Sequence, residues 1–178
     1  MALALALDHP DHVSGLVLAS GYYYPTARAG VALVSPPAVP ILGDLLCYTV
    51  VPLIGEALAP RFIKKMFSPQ RVPERFLEEF PIELMFRPSQ MSAASKDATH
   101  MIPDASIMSE RYDALSCQLA ILAGDGDKVV DPRGHGLRLH QLVPGSYRDV
   151  FEQTGHMTHY ADPARVVRAI QRVGGAGR

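Results

Sequence analysis

Hydrophobic and polar positions follow two rhythms along this chain. Val13-Ser14-Gly15-Leu16-Val17-Leu18-Ala19-Ser20-Gly21 is a short continuous apolar run closed by a small residue and a glycine, the pattern of a strand buried on both faces of a parallel sheet. Gln118 to Gly124 repeats it and stops in the polar turn Asp125-Gly126-Asp127. Tyr147 to Phe151 alternates polar and apolar residues, which predicts a strand nearer the sheet edge. Helical patterns surround these runs. Ala and Leu, both strong helix formers, alternate from Ala2 to Leu7 before the break at Asp8-His9-Pro10. Arg133 to Leu142 carries leucines at 137, 139 and 142 and ends at Pro144-Gly145. The last helix has Asp162 as N-cap and Pro163 at its first position, with Val166, Val167, Ile170 and Val173 along one face and Gly174-Gly175 as the stop. Strands alternating with helices predict an α/β fold, here a partial parallel sheet of about three strands flanked by helices.

Residues 25–105 break that alternation, being rich in proline and methionine and helical in pattern. They read as an insertion, so that 1–24 begin the core, 25–105 form a helical cap, and 106–178 complete the core. Val39 to Pro60 is mostly apolar but is interrupted by Pro40, Gly43, Asp44, Pro52, Gly55 and Glu56, which argues against a membrane span. Adjacent proline and glycine suit short kinked helices that move as a lid over a pocket. A packing layer with no gating role fits the same residues equally well.

Composition removes several function classes. The 178 residues hold 17 basic and 18 acidic side chains, a net charge of −1, with no basic run to attract nucleic acid or an acidic membrane. Cys47 and Cys117 lack C-x-x-C spacing, so neither a disulfide framework nor a zinc ribbon follows. The segment after Met1 has no preceding positive charge and is too short for a secretory signal or a span. A reduced, cytoplasmic setting fits this composition.

In a parallel α/β sheet, ligands bind beyond the carboxyl ends of the strands. The loop after the second strand holds Asp125, Gly126, Asp127 and Lys128; the loop after the third holds Thr154, Gly155, His156, Met157, Thr158 and His159. A carboxylate and an imidazole on one rim form a chemically sensible pair, because the acid accepts the Nδ1 proton and leaves Nε2 as a general base. Asp127 and His156 are the candidates. Asp127 equally fits a turn cap, and Asp125 or Asp131 remains an alternative acid. His156 and His159 together lack a third ligand at a recognisable metal spacing. His9, His12, His100, His135 and His140 read as surface or loop residues. Tyr22, Tyr23 and Tyr24 suit either a pocket wall or packing between core and cap.

Taken in order, Ala4 to Ser20, Leu119 to Val130, Gly155-His156-Met157 and Pro163 to Val173 resemble the part of α/β-hydrolase proteins that follows the nucleophile elbow. The resemblance implies a catalytic carboxylate at Asp127, a catalytic histidine at His156, a cap at 25–105 and no cofactor. That family carries its nucleophile in a G-x-S-x-G elbow. No serine or cysteine here has glycine at both −2 and +2, and the histidine-glycine loop of the oxyanion hole is also absent. The chain therefore reads as the C-terminal portion of a hydrolase, inactive by itself, whose complete form takes a small apolar, ester-like substrate. Serine and aspartate both stay open as the nucleophile. The alternative is a non-enzymatic ligand- or partner-binding module derived from the same fold. Since the family's sheet has about eight strands, the first strand here is expected to present an unpaired edge open to self-association.

Overall fold

The computed structural model describes residues 1–26 and 42–175; the proline-rich stretch 27–41 of the predicted insertion lies outside the described residues. The elements run α1 (Ala2–Asp8), β1 (Gly15–Ala19), α2 (Leu42–Tyr48), α3 (Val50–Phe67), α4 (Glu74–Glu79), α5 (Ile82–Met85), α6 (Pro88–Ser109), β2 (Gln118–Gly124), α7 (Arg138–Leu142), β3 (Tyr147–Phe151), α8 (Thr158–Ala161) and α9 (Pro163–Gly175). They form two compact units. The first comprises Met1–Tyr24, Lys65–Arg71 and Ile107–Arg178, and the second Pro25–Lys64 and Val72–Ser106. Lys65–Arg71, inside the stretch that the sequence marks as an insertion, thus belongs with the first unit.

The first unit is built on a parallel three-stranded sheet in the order β1-β2-β3. Its α/β character agrees with the alternation of strand and helix patterns. β2 is buried at every position after Gln118, because helices cover both of its faces. On one side Leu119 and Ile121 join Leu16, Leu18, Leu3 and Ala6 from α1, and Leu139 from α7. On the other, Ala120 and Leu122 meet Phe151 and the Ala169 and Val173 side chains of α9. Period-2 alternation along the strand thus separates the two cores.

β1 departs from the expectation of burial on both faces. Leu16 and Leu18 are buried, but Gly15 and Val17 are only half-buried and Ala19 is exposed. The cause is position: β1 is an edge strand, with β2 on one side only. α9 also differs from its sequence reading. Asp162 caps it as expected, accepting the Arg165 N–H on Oδ1 at 3.0 Å. The buried face, however, consists of Ala169 and Val173, whereas Val167 and Ile170 are about half exposed. The helix is turned so that Arg165 pairs with Asp149 of β3 and Arg172 stacks 4.3 Å over the Tyr147 ring. Small Ala169 lets the helix approach the sheet, and Val173 lies over Gly15, where a Cβ would stand only 2.8 Å from Val173 Cβ.

The second unit is helical, and its helices α3 and α6 end in residues of the first unit, Lys65–Phe67 and Ile107–Ser109. α3 runs 18 residues through Pro60 and α6 runs 22 residues through Pro103, longer than the short segments that the prolines predict. An internal proline removes one backbone hydrogen bond and leaves the flanking turns theirs. Cys47, Ala59, Ile63, Phe76, Phe86 and Ala105 are buried, and Gly55 admits the Phe86 ring to a distance that a Cβ would close to 2.4 Å. Among the described residues no helix is long and apolar enough to cross a membrane.

Candidate active site

β2 and β3 are adjacent and parallel, with Gly124 paired to Phe151, so the loops that follow them leave from the same end of the sheet. Main-chain bonds interlock the loops at once. Asp125 N–H donates to Phe151 O at 3.1 Å and Gly126 N–H to Thr154 O at 2.9 Å. Gly124 is obligatory at this crossing, because a Cβ would stand 2.3 Å from the carbonyl oxygens of both Thr154 and Gly155. Gln153, at φ 48°, makes the tight turn that brings the second loop back.

The carboxylates that the sequence left open take different tasks here. Asp125 Oδ1 accepts the Thr154 N–H at 3.3 Å and braces the loop crossing. Asp131 caps the next turn, accepting N–H groups of Arg133 and Gly134 at 3.1 and 3.0 Å. Asp127 combines a cap with a charge partner. Its Oδ1 accepts Val129 N–H at 2.7 Å and Val130 N–H at 3.0 Å, and its Oδ2 lies 2.8 Å from His156 Nδ1. The turn cap and the contact with the histidine therefore fall on the same side chain.

The Asp127 side chain is 2% exposed and that of His156 24%. A carboxylate so deeply buried needs several donors, and Asp127 has the two amides and the ring. With Nδ1 facing a carboxylate, the neutral imidazole carries its proton there and turns a lone pair outward at Nε2. Nε2 has no hydrogen-bond partner among the described residues. The His156 main-chain N–H donates to Met66 O at 2.8 Å, a contact with no signal in the sequence pattern.

A small cleft beside Asp127 is lined by Ser20, Gly21, Tyr23 and Val130 as well. Ser20 closes β1 in a left-handed conformation, φ 49°, and its buried hydroxyl has no hydrogen-bond partner among the described residues. Tyr23 and Tyr24 are buried at 3% and 1%. Tyr112 Oη donates to Tyr23 O at 2.8 Å, and burial pushes the Tyr112 phenol up to about 12. Burial raises the Tyr23 phenol as well.

His135 corrects the sequence reading. It is 3% exposed rather than at the surface, and its Nδ1 accepts the N–H groups of Tyr23 and Tyr24 at 3.0 and 3.2 Å. A histidine that satisfies the backbone of a distant turn looks, in sequence, like any polar residue of a helix. His159 sits beside the candidate site, its basicity lowered by partial desolvation and by neighbouring His156. Among the described residues no cluster of three His, Cys, Asp or Glu side chains is placed to hold a metal ion.

No family model matches the sequence, and no curated protein does. Solved structures do match, and they are α/β-hydrolase-fold proteins. An α/β-hydrolase-fold protein from Burkholderia ambifaria superposes with a TM-score of 0.70 at 17% identity, covering 95% of this chain and 60% of its own. A thermophilic esterase from Thermogutta terrifontis gives 0.65 at 20% identity, with 96% and 59% covered. The enol-lactonase of Burkholderia xenovorans LB400 gives 0.62 at 15% identity, with 96% and 60% covered. The chain thus spans about three fifths of the length of the structures it matches, and its architecture is that of a C-terminal portion of the α/β-hydrolase fold.

Proposed function

We propose, from the α/β-hydrolase fold as premise, that this chain supplies the acid and the histidine of a hydrolase active site whose nucleophile lies in the rest of the fold. The observation that carries the reading is the 2.8 Å approach of Asp127 Oδ2 to His156 Nδ1, with Nε2 left open. In the complete site, Nε2 takes the proton of an attacking hydroxyl, or of a water attacking an ester intermediate, as the oxygen bonds to the substrate carbonyl. Asp127 stabilises the imidazolium so formed, and Nε2 then returns the proton to the departing alcohol. The reaction runs on these side chains without a cofactor. The second unit occupies the place in the chain where this fold carries its cap, and its apolar character supports small apolar, ester-like substrates.

Because no nucleophile elbow is present in this sequence, the purified chain is expected to show no serine-type ester turnover. Turnover of a p-nitrophenyl ester by the chain alone, abolished in His156→Ala, would contradict the proposal. The DNA upstream of the Met1 codon gives a second test: an in-frame glycine-x-serine-or-aspartate-x-glycine elbow supports the reading, and a stop codon with a ribosome-binding site favours a separate binding module.

A further inference from the structure

Lys65–Arg71 is a short piece of chain that belongs to the first unit although the segments on both sides of it belong to the second. Its contacts fall on the residues flanking the two candidate site side chains. Met66 O accepts the His156 N–H at 2.8 Å. Gly155 packs so tightly on the same piece that a Cβ would stand 2.5 Å from Ser68 O, 2.7 Å from Met66 O and 2.8 Å from Phe67 O. On the side of the acid, Gly126 faces Pro69, where a Cβ would come within 2.6 Å of Cδ, and Lys128 Nζ donates to Ser68 Oγ at 2.9 Å. Gln70 Nε2 reaches Thr154 Oγ1 at 3.4 Å. Phe67, 1% exposed, anchors the piece with its ring 5.5 Å from that of Tyr160.

We infer that Met66–Gln70 is a strap that positions His156 against Asp127, an inference that rests on the hydrolase reading of that pair. The sheet alone does not set the distance between the two side chains, since pairing ends at Gly124 and Phe151 and both groups lie beyond it. The bonds between the loops hold Asp125, Gly126 and Thr154. Only the strap, among the described residues, bonds the His156 main chain, and it does so while packed on Gly126 and hydrogen-bonded by the Lys128 side chain, on either side of Asp127. A main-chain bond and a close backbone contact restrict the ring's base to one place more strongly than side-chain packing does, because neither has a rotamer to change. The main chain at Met66 thus positions His156, Ser68 and Gln70 tie the strap to Lys128 and Thr154, and none of the three touches a reacting atom.

The test is NMR on the 15N-labelled full chain, reading the His156 Nδ1–H signal and the exchange rates of the His156 and Ile121 amides. In Gly155→Ala, the added methyl group pushes strap and loop apart. The His156 amide is expected to exchange roughly tenfold faster, the Nδ1–H signal to broaden or vanish, and Ile121 in β2 to keep its rate. Unchanged His156 signals, or equal acceleration of His156 and Ile121, would overturn the inference. If Gly155→Ala fails to fold, Gly126→Ala decides, since its Cβ would stand 2.6 Å from Pro69 Cδ and push the strap away from the side of the acid: selective acceleration at His156 supports the strap, and an unchanged rate overturns it. Asp127→Asn separates the two levels of the argument. Persistence of the Nδ1–H signal in that variant would remove the acid–histidine pair itself, whatever the strap does.

Discussion

Asp127 and His156 stand 29 positions apart in sequence, yet Oδ2 of one lies 2.8 Å from Nδ1 of the other. The geometry follows from how the acid is held. Two amide donors on Oδ1, from Val129 and Val130, fix the plane of the carboxylate, and that plane aims Oδ2 at the ring. The local cap therefore orients the through-space partner.

Replacing the acid distinguishes these two duties. Asp127→Asn keeps an oxygen for the Val129 and Val130 amides but places an NH2 against the imidazole, so the ring proton is expected to move to Nε2. Imidazole 15N shifts report the tautomer directly. Asp127→Ala also strips the acceptor from two main-chain amides and is expected to cost about 1–3 kcal/mol more than Asp127→Asn. Equal urea midpoints for the two variants would show that the cap is not structural.

His135→Ala is expected to destabilise the chain most among single histidine-to-alanine changes outside the candidate site. It leaves two buried amides, those of Tyr23 and Tyr24, without their acceptor, at about 1–3 kcal/mol per unsatisfied group. His100, which is exposed, should change stability by no more than about 0.5 kcal/mol. Denaturant titration of both variants compares them.

The β1 edge should drive self-association. Ser20 N–H points to Leu122 O at 2.8 Å, so by alternation the main-chain groups of Val17 and Ala19 face away from β2. This edge is apolar and carries no charge or proline to block pairing. Light scattering on the purified chain is expected to show concentration-dependent oligomers, reduced by Ala19→Lys, whose side chain has room because Ala19 is exposed. A monodisperse monomer with a single cooperative melt would refute this.

His159 gives the stability a pH dependence of defined sign. Partial desolvation and His156 lower its pKa in the folded chain, so below its ordinary value of 6.5 the unfolded chain binds the proton more readily. That contribution is absent at neutral pH and destabilises the fold as the pH falls through 6.5. Melting temperatures measured from pH 7.5 to 5 should fall less steeply in His159→Gln than in the unmodified chain.

The three strands, the capped last helix and the two loops that offer a carboxylate and an imidazole were legible in the linear chain, because each leaves a short-range mark: an apolar run, an Asp-Pro start, a glycine-bearing loop after a strand. Which of Asp125, Asp127 and Asp131 meets the histidine was not legible, since all three are good turn residues and only the crossing of two loops, tightened at Gly124, selects one. The burial of His135, the rotation of α9 onto Ala169 and the passage of Met66–Gln70 beneath His156 were equally silent. Each depends on main-chain groups far apart in sequence satisfying one another, and such bonds put no periodicity into the residues that make them. Sequence alone thus determined the strands, the last helix and the residue types offered by the loops; folding in three dimensions decided which groups meet, because hydrogen-bond partners are chosen by distance in space.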